Sequence, residues 1–367
     1  MDNFAARLIR STARTGLLPS KSDGGYASTY FLFMLILLSS LVLGIGFYLQ
    51  SGFQALVRFH HDNSISTELN RITAGVIDSI RNDPSPGIQC FGDQVWAWQG
   101  KARNDYTVNI IPVSDRLNLN FSRKNIFDKT SLSLLFMPGK TSADLQQYRE
   151  DYGLFLSPSA YEGLFLQANL EQYFSCYGWA NINLIDEFAA RSLARSLTGS
   201  DDAAERLRDT VETLLLNRRA ASPGDLRALF GINYGEFFPF INAEPLMNIN
   251  HIDPDLLREL LAYPDYGIES PEARLSDILA RREAEGIARA GIPLILGVPP
   301  DSPLLHYLGS VTWFWEITVS NGRKTLRTVL CGLPPESYSG FSELYADGPR
   351  PEGTVEIEYQ IIEQRYL

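Results

Sequence analysis

Reactive and metal-binding side chains are scarce in this sequence. It holds three cysteines, Cys90, Cys176 and Cys331, and four histidines, His60, His61, His251 and His306. The cysteine spacing fits no zinc template built on paired Cys-x-x-Cys. An oxidising compartment would allow one disulfide and leave one thiol over, and the spacing does not choose the pair. His60 and His61 are adjacent, so on a helix they point apart and read as solvated residues rather than metal ligands. His306, within Leu304-Leu305-His306-Tyr307, reads as half-buried packing. The Gly-x-Ser-x-Gly elbow, the P-loop and the dinucleotide-binding glycine turn are all missing, and nothing places two carboxylates at one site. A formal net charge of -11 argues against a protein whose main task is gripping phosphate backbones. These absences point away from an enzyme and toward a structural component.

Charge is also missing from one particular stretch. Tyr26 to Leu49 contains no charged residue, and Phe31 to Leu43 is almost wholly apolar. A bilayer core needs roughly 20 such residues in a helix, so this run can span. It is longer than a signal-peptide apolar region and lacks an Ala-x-Ala site after it, which favours a retained anchor. Arg7, Arg10, Arg14 and Lys21 outnumber Asp2 and Asp23 upstream, so the positive-inside rule keeps the N-terminus cytoplasmic and sends the rest across the inner membrane. The run then blends into an amphipathic stripe, Ile65, Leu69, Ile72, Val76 and Ile80, that ends before Pro84 and Pro86-Gly87. One continuous helix from Tyr26 to Arg81 would be ~80 Å long at the usual rise per residue.

In the remaining chain a short theme recurs. Asp115-Arg116-Leu117-Asn118-Leu119-Asn120 comes first, Ala180-Asn181-Ile182-Asn183 second and Met247-Asn248-Ile249-Asn250 third. The second and third each lead into a helical pattern. Asp253-Pro254 supplies an N-cap oxygen and a proline at the first helical position, and Ser222-Pro223 and Ser270-Pro271 repeat a Ser-Pro start. Arg218-Arg219 and Arg281-Arg282 stand near helix ends, where cations favour the dipole. All of this reads as turn and capping chemistry. Strands are expected at Gln94 to Trp98 and Tyr106 to Val113. Later, Val311, Trp313, Trp315, Ile317 and Val319 alternate with polar residues, Asn321-Gly322 signals a hairpin, and the return strand runs from about Arg323 to Cys331. Pro334 to Pro351 reads as a loop and Val355 to Ile362 as a last strand. Trp313, Phe314 and Trp315 read as packing residues of their strand.

The fold class that follows is α+β: a long N-terminal transmembrane helix packed on an antiparallel sheet, with a large, mostly helical insert. The boundaries read as a leader over 1–25, the helix over 26–82, early strands over 83–120, the helical insert over 121–300 and a C-terminal hairpin and strand over 301–367. Paired helices raise one alternative, a membrane-tethered helix-hairpin-helix receptor for DNA uptake. Its hairpin would be Tyr263 to Ser270, which has one glycine and two acids and would repel phosphate, so no nucleic-acid partner is expected.

The long helix, the leader and the asparagine series together resemble the type II secretion minor pseudopilins of the K branch, over most of residues 26 to 331. Lys21-Ser22-Asp23-Gly24-Gly25 resembles a prepilin-peptidase site with cleavage between Gly25 and Tyr26. Most pilins and pseudopilins carry Glu at the fifth mature position, which here is Tyr30, and the K branch characteristically lacks it. Members of that branch also carry two Asn-x-Asn motifs, the second before a helix with an arginine at the end of the next helix. Val108 to Asn120, and Met247 to Asn250 with Arg281 or Arg282, are similar to these, although His251-Ile252 stands where Thr-Ala would be. Ser222 to Ile232 is similar to a Ser-x-x-Glu-Leu…Gly segment lying between them. The resemblance implies a pilin-like sheet, methylation of Tyr26, and assembly at Tyr30. It implies partners among the other minor pseudopilins (I and J type), prepilin peptidase and the membrane, in a short periplasmic fibre that moves folded proteins outward. Many members carry an acidic calcium-binding segment; here Asp201, Asp202 and Glu205 are the nearest acids and read as a helix start, so no cofactor or metal ligand set is identified.

Overall fold

A computed structural model describes residues 23–100, 105–155, 157–161, 163–166, 170–216, 240–333 and 357–367. The leader up to residue 22, Arg218-Arg219, the segment Ser222 to Ile232, the stretch Pro334 to Pro351 and Val355 lie outside the described residues. The chain divides into two compact units, Met1–Ser66 and Thr67–Leu367.

Helix α1 runs unbroken over Asp23–Arg81, 59 residues. In the first unit its large apolar side chains, among them Phe31, Leu35, Leu38, Leu41, Phe47 and Phe53, are exposed. In the second unit Leu69, Ile72, Val76 and Ile80 of the expected stripe, with Ile77 beside them, are buried. Fully burying one such side chain contributes about 1.5–3 kcal/mol, so this end of α1 is held by core packing.

Four strands form one antiparallel sheet: β1 (Thr107–Pro112), β2 (Phe314–Ser320), β3 (Thr325–Leu333) and β4 (Glu358–Tyr366), in that spatial order. The β1–β2 register pairs Val108 with Val319 and Ile110 with Ile317, and the β2–β3 register pairs Ile317 with Thr328 and Trp315 with Leu330. Strand periodicity puts all of these on one face, where they are buried; Glu316, Thr318 and Arg327 lie on the other. Asn321-Gly322 closes the β2–β3 hairpin as its sequence signals. The last strand extends past Ile362: β4 is bulged between Ile361 and Glu363 and continues to Tyr366. α1 reaches β4 directly: Arg81 Nη2 donates to the Tyr359 carbonyl at 2.9 Å and Asn70 Nδ2 to the Tyr366 hydroxyl at 2.9 Å.

Gln94–Trp98 is a 3₁₀ helix and not a strand. The Asp93 carboxylate accepts from the Cys90 N–H at 2.7 Å and turns the chain there. Trp98 Nε1 then donates to Ser79 Oγ at 2.9 Å on α1, while Trp96 packs on Trp315. The aromatic alternation reflects two side chains sent to different partners. The free side of β1 is occupied as well, since Gly100 N donates to the Val108 carbonyl and Ile110 N to Gln99 Oε1.

Between β1 and β2 the described chain forms five main helices: α2 (Ser142–Tyr152), α3 (Glu187–Thr198), α4 (Asp201–Leu216), α5 (Pro254–Leu261) and α6 (Pro271–Ala284). Asp253 caps α5 as expected, accepting from the N–H groups of Asp255 and Leu256. Ser270 departs from expectation: it precedes Pro271 but makes no side-chain cap and sits at φ 54°. Proline alone starts that helix.

Leu69 is fully buried, and Leu69→Ala leaves a cavity under α1. Chemical denaturation of the full chain in detergent is expected to show a loss of about 2–5 kcal/mol, whereas truncating exposed Leu56 leaves the transition unchanged.

Candidate functional site

The three asparagine motifs turn out to be one structure repeated. Leu117–Asn118 pairs in parallel with Phe174–Ser175, Ala180–Asn181 with Ile241–Asn242, and Met247–Asn248 with Leu308–Gly309. Each pair is a two-residue bridge where the chain leaves for a helical excursion and comes back.

In every copy the first asparagine performs two tasks. Its Oδ1 accepts the N–H two residues on, from Asn120 (2.9 Å), Asn183 (2.9 Å) and Asn250 (3.0 Å), which closes a tight turn. Its Nδ2 donates to the segment that returns and, in the second and third copies, to a further segment of the chain as well. Asn118 bonds the Tyr177 carbonyl, Asn181 the carbonyls of Ala243, Glu244 and His306, and Asn248 the Gln89 carbonyl and Thr312 Oγ1. The second asparagine ties down the excursion: Asn120 brackets Phe155 through both N–H and carbonyl, and Asn250 does the same to Ile287.

A buried arginine completes the first and third copies. Arg149, near the end of α2, donates to the carbonyls of Leu119 and Ser122, and Arg282, near the end of α6, donates to the Ile252 carbonyl. Arg282, rather than Arg281, therefore fills the expected position. Arg149 was not singled out from sequence; its place after the first motif, similar to that of Arg282 after the third, is the signal that could have found it. Burial lowers the pKa of Arg149, and the carbonyl acceptors let it stay charged there.

The third copy is joined to the sheet. Asp115, fully enclosed, accepts from the Asn248 N–H at 2.8 Å and from Thr312 Oγ1 at 3.0 Å, and its Oδ2 lies 3.6 Å from His251 Nδ1. Gln89 accepts from the Thr312 N–H through Oε1 and donates from Nε2 to the Tyr359 hydroxyl. The His251 ring is walled by Phe91, Trp96 and Trp315. The chain after α1, β4, the third turn and the segment before β2 thus meet at one polar knot.

The knot is enclosed: Asp115, Asn248, His251 and Thr312 are all buried. Among the described residues no cluster of His, Cys, Asp or Glu could hold a metal. Asp201 opens α4 and pairs with Arg195, and Glu205 pairs with Arg191 and Arg208, so these acids are engaged with cations. All three cysteines are free thiols; Cys176 and Cys331 are buried, and burial pushes each up to about 12. His60 and His61 are exposed on α1, and His306 is half-buried with its pKa lowered to about 4 by burial and by Arg123 and Arg289. In the Tyr263 to Ser270 hairpin, Asp265 is ion-paired with Lys129 at 2.5 Å.

The processing and assembly residues lie apart from the knot. Gly25 and Tyr26 fall within α1, whose helical path begins at Asp23, upstream of their junction. Tyr30 is 65% exposed, in line with the apolar residues that follow it. α1 is long and apolar enough to cross a membrane.

The class these features define is an α+β protein with one long, exposed apolar helix at its N-terminal end and a four-stranded antiparallel sheet interrupted by asparagine-pinned helical excursions. No family model and no curated protein matches the sequence. A solved structure similar to this chain is the GspK-GspI-GspJ complex from the enterotoxigenic Escherichia coli Type 2 Secretion System. The identity is 12%, the match covers 86% of this chain and 99% of that one, and the TM-score is 0.36.

Asn248 is completely buried, and Asn248→Ala strands the Gln89 carbonyl and the Asn250 N–H. Denaturant titration is expected to show a loss of about 3 kcal/mol.

Asp93 tests the electrostatics. Burial and then the charge of Asp83 raise its pKa from 3.8 to about 6. The folded chain therefore holds a proton that the unfolded chain has released, and this site's contribution to stability falls as pH rises from about 4 to about 6. Asp93→Asn removes the titration, so the wild type should lose stability relative to the variant across that window and keep a constant gap above it, read from melting temperatures at a series of pH values.

Proposed function

We propose that this chain is a structural minor pseudopilin of the K type, placed at the tip of a type II secretion pseudopilus, where it assists export of folded proteins across the outer membrane. The observation that carries the reading is the continuity of α1. One helix begins with exposed, uncharged residues suited to lipid or to neighbouring apolar helices, and ends with a stripe buried in a folded body. That body contains an antiparallel sheet and the ordered series of asparagine turns that resemble the K branch.

On this reading prepilin peptidase cuts between Gly25 and Tyr26, Tyr26 becomes the methylated N-terminus, and the anchor sits in the inner membrane with the body in the periplasm. The partners are the other minor pseudopilins, of I and J type, whose helices pack beside α1. The role is assembly, with no chemical step. Tyr30 carries no charge where a glutamate would pair with a neighbouring subunit's N-terminal amine. The subunit then lacks the contact needed to insert beneath another, and its place is the end of the fibre.

N-terminal sequencing and mass measurement of the mature chain test the reading. A methylated Tyr26 is expected; an intact Met1, or a cut beyond residue 45, overturns it. The assembly role has its own test in Tyr30→Glu, which is expected to reduce secretion or displace the subunit from the tip, and unaltered secretion and placement would count against it.

A further inference from the structure

A polar cleft of about 430 Å³ opens on the face of the sheet opposite its buried one. Its floor is a tight ionic group. Arg327 on β3 donates to Glu316 Oε2 at 2.6 Å, to Glu363 Oε1 at 2.9 Å and to the Tyr177 hydroxyl at 3.2 Å, and Tyr177 donates to Glu363 Oε2 at 2.5 Å. Arg365 pairs with the same Glu363 at 3.2 Å. Burial works against the charge of Arg327, but its hydrogen bonds to Glu316 and Tyr177 outweigh burial and raise its pKa. These charges satisfy one another and leave Arg327 little capacity for a ligand.

Arg116 on the cleft wall is different. It is half-buried, and among the described residues it has no ion pair within 4.0 Å and no hydrogen-bonded side chain. Burial lowers its pKa, and Glu316 and Glu171 oppose that only from a distance. A guanidinium does not give up its proton in a protein, so Arg116 presents at the cleft donors that no side chain among the described residues engages. Such a group is completed by an anion arriving from outside, and the fork geometry suits a carboxylate held by two parallel bonds.

The rest of the lining narrows the ligand. Glu171 also lines the cleft, outside the ionic floor, and its negative charge disfavours a doubly charged phosphate more than a single carboxylate. Ile111 supplies part-exposed apolar surface to the lining, with the buried Val113, Pro158 and Phe174 behind it. The volume is in the range of small-ligand sites, which span about 300–1,000 Å³.

We propose that this cleft is a binding site for a single carboxylate carried on a short apolar stem, with Arg116 as its anchor. Two sources share that chemistry, the C-terminal residue of a polypeptide and a free short-chain acid. The proposal does not depend on the secretion reading.

Isothermal titration calorimetry on the full chain in lipid nanodiscs tests it, with N-acetyl-leucine as the probe for a polypeptide end, isovalerate for a free acid, and N-acetyl-leucinamide and inorganic phosphate as comparisons. At least one of the two acids is expected to bind, and the tighter of them identifies the source. The amide, lacking the carboxylate, should give no binding heat, and phosphate should bind more weakly than the acid. Arg116→Gln should weaken acid binding at least tenfold, the loss expected for one charge-assisted contact. Ser157→Trp, at the rim and away from the ionic floor, should block it while leaving the melting temperature unchanged. The proposal is overturned if neither acid binds at millimolar concentration, if the amide binds as well as the acid, if phosphate binds more tightly, or if folded Arg116→Gln or Ser157→Trp retains wild-type affinity.

Discussion

An asparagine side chain buried where two chain segments cross is the contact on which the body of this protein is organised. Its carbonyl oxygen closes the turn it belongs to, and its amide holds the strand that returns after a helical excursion. Aspartate could supply the first bond but not the second, and would bring a charge into a site that cannot solvate it. A longer amide would not close the turn two residues on. The arrangement occurs at Asn118, Asn181 and Asn248, and each return strand feeds the next departure: Ser175 leads to Ala180, Asn242 to Met247, and Gly309 to Phe314 of the sheet. Gly178 marks how closely these crossings pack. It adopts φ 140°, and a Cβ there would lie 2.8 Å from Leu246 and 2.9 Å from the Asn118 amide.

The consequence is a bulky insert whose entry and exit are fixed to the sheet rather than hung from it. Asp115 carries the connection, because it accepts from the third turn and from Thr312 beside β2 at once. Gln89 extends the same network to Tyr359 on β4, and Arg81 at the end of α1 reaches the carbonyl of that tyrosine. In the proposed role this is what a fibre subunit requires: a helix that enters the assembly by its exposed end, and a head locked to its other end.

The helix and the hairpin were legible in the sequence for simple reasons. A long stretch without charge can hardly be anything but an apolar helix, and Asn321-Gly322 between alternating runs has few other uses. The asparagine motifs were legible as turns, but not as crossings, because the bonds that matter run from Asn118 to Tyr177 and from Asn248 to Gln89, far apart in the chain. Gln94 to Trp98 misled because its alternation came from two tryptophans serving α1 and Trp315 in turn. Ser270 misled because a proline at the first helical position suffices without a cap. Arg149, buried on carbonyls instead of carboxylates, left no charge partner to read, and the cleft around Arg116 exists only once β3 and β4 are brought beside the insert.

Native-state hydrogen exchange of the backbone amides of Asn120, Asn183 and Asn250 tests the organising claim most directly. Each of these N–H groups donates to the side chain of the asparagine two residues before it, so its protection reports whether that side chain stays in place. If the three turns hold the body together, all three amides exchange as slowly as the core of β2, through unfolding of the whole body. Exchange at the rate of an open loop in any of them, while β2 remains protected, would contradict the account.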